Sequence, residues 1–393
     1  MSQDRDDPLR ALVPRLRPYA RSVFGETSAR AAQLSAINLG QGFPDTDGPD
    51  VLKDIAIAAI RDGSGNQYPP ANGILDLREA VAEHQQQWYG LRYDPATEVM
   101  VGTGASEVIA AAVLGLVDAG DEVIALEPAF DIYAPQVAMA GGRLVTVPLD
   151  AAFRPDVAAV EAAVTPRTRV LLLNTPHNPT GTVLRREELA ALAEVALRHD
   201  LVVISDEVYE HLVYDDAEHT PMAVVHGMRE RTLTVGSGGK SFSFTGWKVG
   251  WCTGPAHLVA AARVARQHLS YVSGGPFQPA IAAGLRLPEE YFAGLAGSLA
   301  ERRDLLLHGL RALGLDPASP AGTPFAVTDV RPWGYVDGAA AAADLPERAG
   351  VAVIPVSAFC THRGPADAFV RWTFAKRPEV LEEALGRLGR ALR

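Results

Sequence analysis

Residues 201–209, which read LVVISDEVY, contain the pattern that decides the fold. Four apolar residues of strand length run directly into Ser205 and Asp206. Continuous apolar runs are typical of strands covered on both faces, as in parallel sheets. Because an unpaired buried carboxylate is costly, Asp206 needs a partner, such as a cationic ring nitrogen, and the Tyr209 hydroxyl could reach a ring oxygen beside it. A helix cap by Ser205 or Asp206 explains the same residues equally well.

Similar apolar runs recur along the chain, and helical patterns separate several of them. The strand-length runs are 122–126, 144–148, 170–174, 232–235 and 249–252, and the helical patterns include 106–117, 186–198 and 255–269. This alternation predicts an α/β fold with a mostly parallel sheet and helices on both faces.

The sequence pattern changes after residue 285. A charged, leucine-rich helical stretch over 285–312 is followed by short strand-like pieces at 324–329, 351–354 and 369–374. This pattern predicts a smaller α+β domain that the N-terminal arm helps to complete. We therefore expect a large domain over residues 46–285 and a small domain formed by residues 1–45 and 286–393.

The composition excludes several classes of protein. The 393 residues carry a net charge of -11 with no basic run, so no nucleic-acid partner is expected. The apolar stretches are too short for a membrane span. Cys252 and Cys360 show neither metal-ligand spacing nor a disulfide framework, so we expect no metal site. With a polar, acidic N-terminus, the chain is expected in the reducing cytoplasm.

Residues 102–107, GTGASE, follow a strand-like run and open an apolar helix. Small residues let backbone N–H groups approach an anion, and a helix N-terminus favours negative charge. The stretch therefore indicates a phosphate site at Gly104, Ala105 and Ser106. A simple helix cap by Ser106 is the alternative.

Lysine is rare in this chain, which contains only Lys53, Lys240, Lys248 and Lys376. Two of them lie in residues 237–251, SGGKSFSFTGWKVGW, among glycine, serine and aromatic residues. The stretch is not a Walker loop, because Thr234 stands where the first glycine belongs. A desolvated lysine beside another cation is a Schiff-base nucleophile, whereas the alternative is a lysine packed structurally in a turn.

Two further stretches contain polar groups suited to a ligand. Asn178 lies in residues 174–181, NTPHNPTG, where it could donate a hydrogen bond to a ligand oxygen or simply form an Asx turn. Arg371 lies inside the apolar run 370–374, VRWTF. A buried arginine needs an anionic partner, which is either a substrate carboxylate or an internal acid.

Taken together and in order, seven stretches resemble one family. They are NLGQGFPD (38–45), QYPP (67–70), EPAFDIY (127–133), NTPHNPTG (174–181), SDEVYEHL (205–212), SGGKSFSFTGWKVGW (237–251) and VRWTF (370–374). The chain resembles the class I aminotransferases of pyridoxal 5'-phosphate (PLP) fold type I, in the kynurenine/glutamine aminotransferase-like branch, over nearly its whole length. Segments 13–26, 270–280, 331–337 and 354–360 are similar to N-succinyldiaminopimelate aminotransferases.

The resemblance implies a seven-stranded type of sheet, PLP as cofactor, and catalytic roles for three residues. Lys240 would carry the cofactor and move the substrate proton. Asp206 would pair with the pyridinium nitrogen, so that the ring acts as an electron sink. Tyr209 would hydrogen-bond the ring oxygen together with Asn178.

The remaining site residues follow from the same resemblance. Phe130 would stack on the ring, and Ser237 and Lys248 would join Gly104, Ala105 and Ser106 at the phosphate. Arg371 would bind the substrate α-carboxylate, with Gly42 and Asn178 nearby. Tyr68 would reach the phosphate of a partner subunit, which implies a homodimer.

The expected substrates are an amino acid and a 2-oxo acid. The preferred pair is N-succinyl-LL-2,6-diaminopimelate and 2-oxoglutarate, in lysine biosynthesis. An aromatic pocket for kynurenine or phenylalanine is an alternative, and glutamine is another; aromatic side chains available for such a pocket are Phe24, Phe43, Phe130, Tyr133 and Phe359.

A PLP β-lyase, oxidase or hydroxylase on the same scaffold also stays open. A non-enzymatic regulator module is disfavoured because Lys240 is present. The chain departs from the residues usual in the family at Ala71, Asn72 and Thr27. These residues would lie near the substrate, so the departures bear on the identity of the substrate more than on the class of reaction.

Overall fold

The computed structural model of the chain describes residue 9 and residues 11–392. In this part of the chain the strands β1 to β12 are Ile37–Asn38, Val99–Thr103, Glu122–Glu127, Arg143–Pro148, Thr168–Asn174, Val202–Asp206, Thr232–Ser237, Val249–Thr253, Phe325–Asp329, Val351–Ala352, Ile354–Pro355 and Phe369–Thr373. The α-helices α1 to α13 are Val23–Gln33, Asp50–Arg61, Leu75–Tyr89, Gly104–Leu116, Tyr133–Met139, Val157–Ala163, Arg186–Arg198, Gly238–Ser241, Ala256–Gln267, Phe277–Leu285, Glu289–Ala312, Gly338–Arg348 and Pro378–Ala391.

The central sheet has seven strands in the order β2-β8-β7-β6-β5-β3-β4. Strands β3 to β7 pair in parallel with one another, whereas β8 runs antiparallel to both β2 and β7. The predicted α/β fold with a mostly parallel sheet is therefore confirmed. Residues of its central strands are buried on both faces of the sheet. This burial explains why the strands are continuous apolar runs in the sequence.

Strand register brings the polar ends of the central strands to one edge of the sheet. Asn174 at the end of β5 pairs with Asp206 at the end of β6, and Asp206 pairs with Val235 in β7. Lys240 follows β7 within the short helix α8. In parallel sheets ligands bind at this carboxyl edge, so the register itself assembles the candidate site.

A second group of strands lies outside the central sheet. Strands β11, β12 and β9 form an antiparallel sheet in which Arg371 pairs with Val327 and with Ile354. Strand β1 of the N-terminal arm pairs in parallel with β10. The predicted strand 351–354 is thus two short strands, because the chain changes partner from β1 to β12 after Ala352.

On the basis of these separate sheets, we propose that the chain divides into a large domain over residues 46–285 and a small domain formed by residues 1–45 and 286–393. Within residues 9 and 11–392, no helix has both the length and the apolar character needed to cross a bilayer.

Candidate active site

A cavity of about 410 Å³ opens at the carboxyl edge of the central sheet. Its wall brings together nearly all of the residues that the sequence singled out. These are Gly42, Gly104, Ala105, Ser106, Phe130, Asn178, Asp206, Tyr209, Ser237, Lys240, Lys248 and Arg371. Residues from the central sheet, the arm and the small antiparallel sheet therefore meet at one place.

Tyr68 is the exception, since it does not line this cavity. Its side chain is 80% exposed and lies beside Tyr271, with the two ring centroids 5.6 Å apart. It belongs instead to a surface depression that also contains Gln67 and Val272. Its role at a partner subunit's phosphate stays a prediction.

Asp206 is a buried carboxylate held by a tyrosine. Tyr133 Oη, at the start of α5, donates a hydrogen bond of 2.6 Å to Asp206 Oδ2. Burial raises the pKa of the Asp206 carboxyl to about 6, and the Tyr133 hydrogen bond opposes that rise. The Asn174 amide donates to the Asp206 carbonyl at 2.9 Å, which fixes the backbone at the strand end. The carboxylate is thus oriented towards the cavity and needs a cationic partner there.

The structure separates the four lysines of the chain into two groups. Lys53 is at the surface, paired with Asp47 and Asp50 at 3.2 and 2.6 Å. Lys376 donates its Nζ to the Phe43 carbonyl at 2.8 Å. Only Lys240 and Lys248 line the cavity.

The surroundings of Lys240 favour its neutral, nucleophilic form. Burial lowers the pKa of the Lys240 ammonium, Asp206 opposes the shift, and Lys248 and Arg371 add to it. Its Nζ lies 5.9 Å from the centre of the Tyr209 ring. A lysine with a lowered pKa beside a second cation is the arrangement used for Schiff-base formation.

An anion cradle forms where α4 begins. Gly104 has a φ of +73°, and a Cβ added there would lie 3.2 Å from Lys248 Nζ. The first backbone N–H groups of a helix have no partner within the helix, so those of α4 are available to a ligand. With Ser237 also in the wall, the cradle combines N–H groups, a hydroxyl and an ammonium, which suits a phosphate.

Arg371 is a buried guanidinium whose neighbours hold it without neutralising it. Its Nη1 donates to Asn178 Oδ1 at 2.8 Å, and its Nη2 donates to the Gly40 carbonyl at 2.5 Å. The Nε is buried without a hydrogen-bond partner. Burial lowers the pKa of this guanidinium to about 10. Within residues 9 and 11–392 no carboxylate lies within 4.0 Å of it, so a ligand carboxylate would satisfy the charge.

Aromatic rings surround the same guanidinium. The Arg371 Cζ lies 5.0, 4.1 and 5.0 Å from the ring centres of Phe24, Phe325 and Phe359. Gly42 packs against the Phe325 ring, where a larger residue would clash. Rings at these distances stabilise a cation without using its N–H groups, so the N–H groups that Asn178 and Gly40 do not take stay available to a ligand.

Several residues of this site do not follow from the sequence. The sequence places Tyr133 only in a possible aromatic wall, yet its hydroxyl is the hydrogen-bond partner of Asp206. Nothing in the sequence marks Phe325 as a site residue. Asp131 lines the cavity, and burial raises the pKa of its carboxyl while Arg371 opposes the rise. Its position directly after Phe130 was the one signal that could have pointed to it.

An anion cradle, a buried acid, a desolvated lysine and a buried arginine thus meet in one cavity. The chain belongs to the aminotransferase class I and II family, whose sequence model matches residues 35–388. Enzymes of this family depend on PLP, and the chain is a PLP-dependent aminotransferase. The cradle, the buried acid and the desolvated lysine suit this cofactor.

Relatives of known name resemble the chain over nearly its full length. A protein of Mycobacterium tuberculosis, named probable N-succinyldiaminopimelate aminotransferase DapC, is 52% identical, with 96% of this chain and 97% of the relative covered. A solved structure of the Mycobacterium tuberculosis N-succinyldiaminopimelate aminotransferase matches with a TM-score of 0.95 at 53% identity, covering 97% of this chain and 100% of that one. A kynurenine–oxoglutarate transaminase of Dictyostelium discoideum is 38% identical, with 93% of each chain covered.

Proposed function

We propose that this aminotransferase moves the amino group of N-succinyl-LL-2,6-diaminopimelate to 2-oxoglutarate, in lysine biosynthesis. The observation that carries the proposal is the 52% identity, over 96% of the chain, with a relative named for that donor. Similarity to this relative covers the segments between the catalytic stretches as well as the stretches themselves, which supports the assignment of this donor.

Lys240, Asp206 and Tyr209 would perform the chemistry around the cofactor. Bound PLP supplies an electron sink. The Lys240 amine carries the cofactor and, once released, takes the proton from the substrate Cα, because its lowered pKa leaves it able to accept one. The Asp206 carboxylate, oriented by Tyr133, keeps the ring nitrogen protonated.

Ring and phosphate contacts come from the other wall residues. Since Asn178 Oδ1 already accepts from Arg371, its Nδ2 is left to donate to the ring oxygen, together with the Tyr209 hydroxyl. Phe130 would stack on the ring face. The phosphate contacts would come from the cradle, whose members are Gly104, Ala105, Ser106, Ser237 and Lys248.

Arg371 would bind the α-carboxylate that every amino donor shares. Two of its nitrogens are held by Asn178 and Gly40, so the guanidinium plane is fixed before substrate arrives. A fixed plane favours two parallel hydrogen bonds to a carboxylate. Gly42 lies beside this guanidinium in the cavity wall, and its missing side chain lets the Phe325 ring pack closely against the backbone there.

A second candidate donor is an aromatic amino acid such as kynurenine. Phe24, Phe43 and Phe130 line the cavity and would pack against an aromatic side chain. The cations of the cavity wall, Lys240, Lys248 and Arg371, are all assigned to the cofactor and the α-carboxylate. The distal carboxylates of a succinylated donor therefore require further donors.

Steady-state kinetics with 2-oxoglutarate as acceptor distinguish the two donors. We expect kcat/KM for succinyl-diaminopimelate to exceed the values for kynurenine, glutamine and phenylalanine by at least about tenfold, roughly 1.4 kcal/mol. A site built for distal carboxylates loses affinity for substrates that lack them, because its buried donors stay unpaired. If kynurenine or glutamine wins by about tenfold, the donor assignment is wrong. Turnover without any 2-oxo acid would indicate a β-lyase or an oxidase instead.

A homodimer and a cytoplasmic location complete the proposal. The exposed Tyr68 and its neighbour Tyr271, 45% exposed, provide an apolar surface suited to a second copy of the chain. A reducing compartment would keep Cys252 and Cys360 as free thiols.

A further inference from the structure

A cluster of potential metal ligands lies outside the active-site cavity. It consists of His84 on α3 and of Glu210 and His211, which directly follow Tyr209. All three residues are buried, with exposed fractions of 2, 5 and 7%. Their ligand atoms lie within 4.8 Å of one another, and the two Nε2 atoms are 2.8 Å apart. None of the three lines the cavity.

The Glu210 carboxylate has too few partners for a buried charge. It accepts one hydrogen bond, of 2.9 Å, from the Tyr89 hydroxyl. Within the described chain no lysine, arginine or histidine nitrogen forms an ion pair with it, and the nearby His219 pairs with Glu207 at 3.0 Å. A buried carboxylate without a cation is costly, and a bound metal ion is one way to compensate it.

The two histidine rings face each other through their Nε2 atoms, which share one hydrogen at 2.8 Å. Metal binding requires both Nε2 atoms without hydrogen, so the ring that carries the shared hydrogen would hold it on Nδ1 instead. The rings of Trp88 and Phe292 lie 4.7 and 4.1 Å from the His211 ring and shield the group from water.

We propose that His84, Glu210 and His211 bind a divalent transition-metal ion, zinc by preference. Two imidazole nitrogens and a carboxylate oxygen are ligands that zinc commonly takes, and a water or the second Glu210 oxygen would complete four-coordination. The Nε2 atoms would separate to about 3.3 Å, the spacing that zinc–nitrogen bonds of about 2.0–2.1 Å impose. The Tyr89 hydroxyl would hold the ligating carboxylate.

The ion would tie helix α3 to the turn that follows β6. Asp206 is the last residue of β6 and Tyr209 lies in the turn, so the metal would brace the segment that carries both residues without contacting the cofactor. The sequence predicts no metal site, because its cysteines lack metal-ligand spacing and the two histidines are 127 residues apart along the chain. The inference is independent of the amino donor.

Zinc titration of the chelator-treated holoenzyme by calorimetry tests the proposal. We expect saturable binding of about one zinc per chain, weakened at least about a hundredfold in H84Q and in H211Q. His308→Gln, an exposed histidine on α11, is the matched control and should bind like wild type. Equal zinc affinity in H84Q and wild type would overturn the site. So would a wild type without saturable binding, since the histidines would then only hydrogen-bond each other.

A second measurement covers variants that fail to fold. Wild-type crystals soaked with Zn²⁺ should show an anomalous scattering peak at the zinc absorption edge between His84, Glu210 and His211. Chelator should also lower the melting temperature of the wild-type holoenzyme, because a ligand of the folded state stabilises it. An anomalous peak only at other positions, or no peak, would contradict the proposal.

Discussion

Tyr133→Phe removes one hydrogen bond and leaves the ring packing intact, since the side chain is 2% exposed. The lost bond of 2.6 Å goes to the ionised form of Asp206. A hydrogen bond to a charged group contributes about 1.5–3 kcal/mol, and each pKa unit corresponds to about 1.4 kcal/mol. The pKa of the Asp206 carboxyl in the apoprotein should therefore rise about one to two units above its value of about 6.

The consequence is a pH-dependent loss of cofactor affinity. Only the ionised Asp206 can hold the protonated ring nitrogen, so a protonated carboxyl must first lose its proton. A rise of about one to two pKa units lowers the ionised fraction of the carboxyl at pH 6, so the PLP dissociation constant of the variant should exceed that of wild type about five- to fiftyfold at that pH. At pH 9 both carboxyls are ionised and the two constants should coincide.

PLP titration of the two apoproteins between pH 6 and pH 9, followed by fluorescence, measures this ratio. Tyr214→Phe is the matched control, because its buried hydroxyl donates at 2.8 Å to the Thr323 carbonyl, outside the cavity wall. Its ratio should stay near one at every pH. A Tyr133→Phe ratio that is near one at pH 6, or that does not change with pH, would refute the role assigned to Tyr133.

Further predictions concern Asp206, Arg371 and the oligomeric state. Asp206→Asn removes a carboxyl whose pKa is raised from 3.8 to about 6 in the folded state. Because the carboxyl ionises at a higher pH in the folded than in the unfolded state, wild type loses stability as the pH rises from about 3.8 to about 6. In urea unfolding the variant apoprotein should therefore be more stable than wild type by about 3 kcal/mol at pH 8 and equally stable at pH 3.5. No gain in stability at pH 8 would contradict this. Its transamination should nearly vanish, and activity within about tenfold of wild type, roughly 1.4 kcal/mol, would show that Asp206 is structural. Arg371→Lys loses the two-nitrogen fork and should raise KM for every amino donor about ten- to a hundredfold; an unchanged KM in steady-state assays would exclude the carboxylate clamp. Light scattering should find a dimer, and a monomer that turns over substrate would exclude the role of Tyr68.

The fold could be predicted from the sequence because its strands carry strong local signals. The run 201–204 is apolar throughout, and strand β6 occupies Val202–Asp206. Polar residues at such strand ends necessarily meet at the carboxyl edge of a parallel sheet. The positions of Asp206, Asn178 and Lys240 in one cavity follow from that rule once the strands are parallel.

Contacts that depend on packing between distant segments carry no such signal. The Tyr133–Asp206 hydrogen bond joins residues 73 apart, and the placement of Phe325 on Arg371 depends on the register of β9 and β12. The change of strand partner at Ala352 is likewise a property of the assembled sheets. Apolar periodicity specifies which face of an element is buried, but it does not specify which side chain meets which.

The central claim is that Lys240 carries the cofactor. Borohydride reduction of the purified yellow enzyme, followed by peptide mapping, tests it directly, because reduction fixes PLP to the lysine that holds it. The label should be found on Lys240 alone. A label on Lys53, Lys376 or Lys248 would contradict the account, and Lys248 is the most stringent comparison because it lines the same cavity.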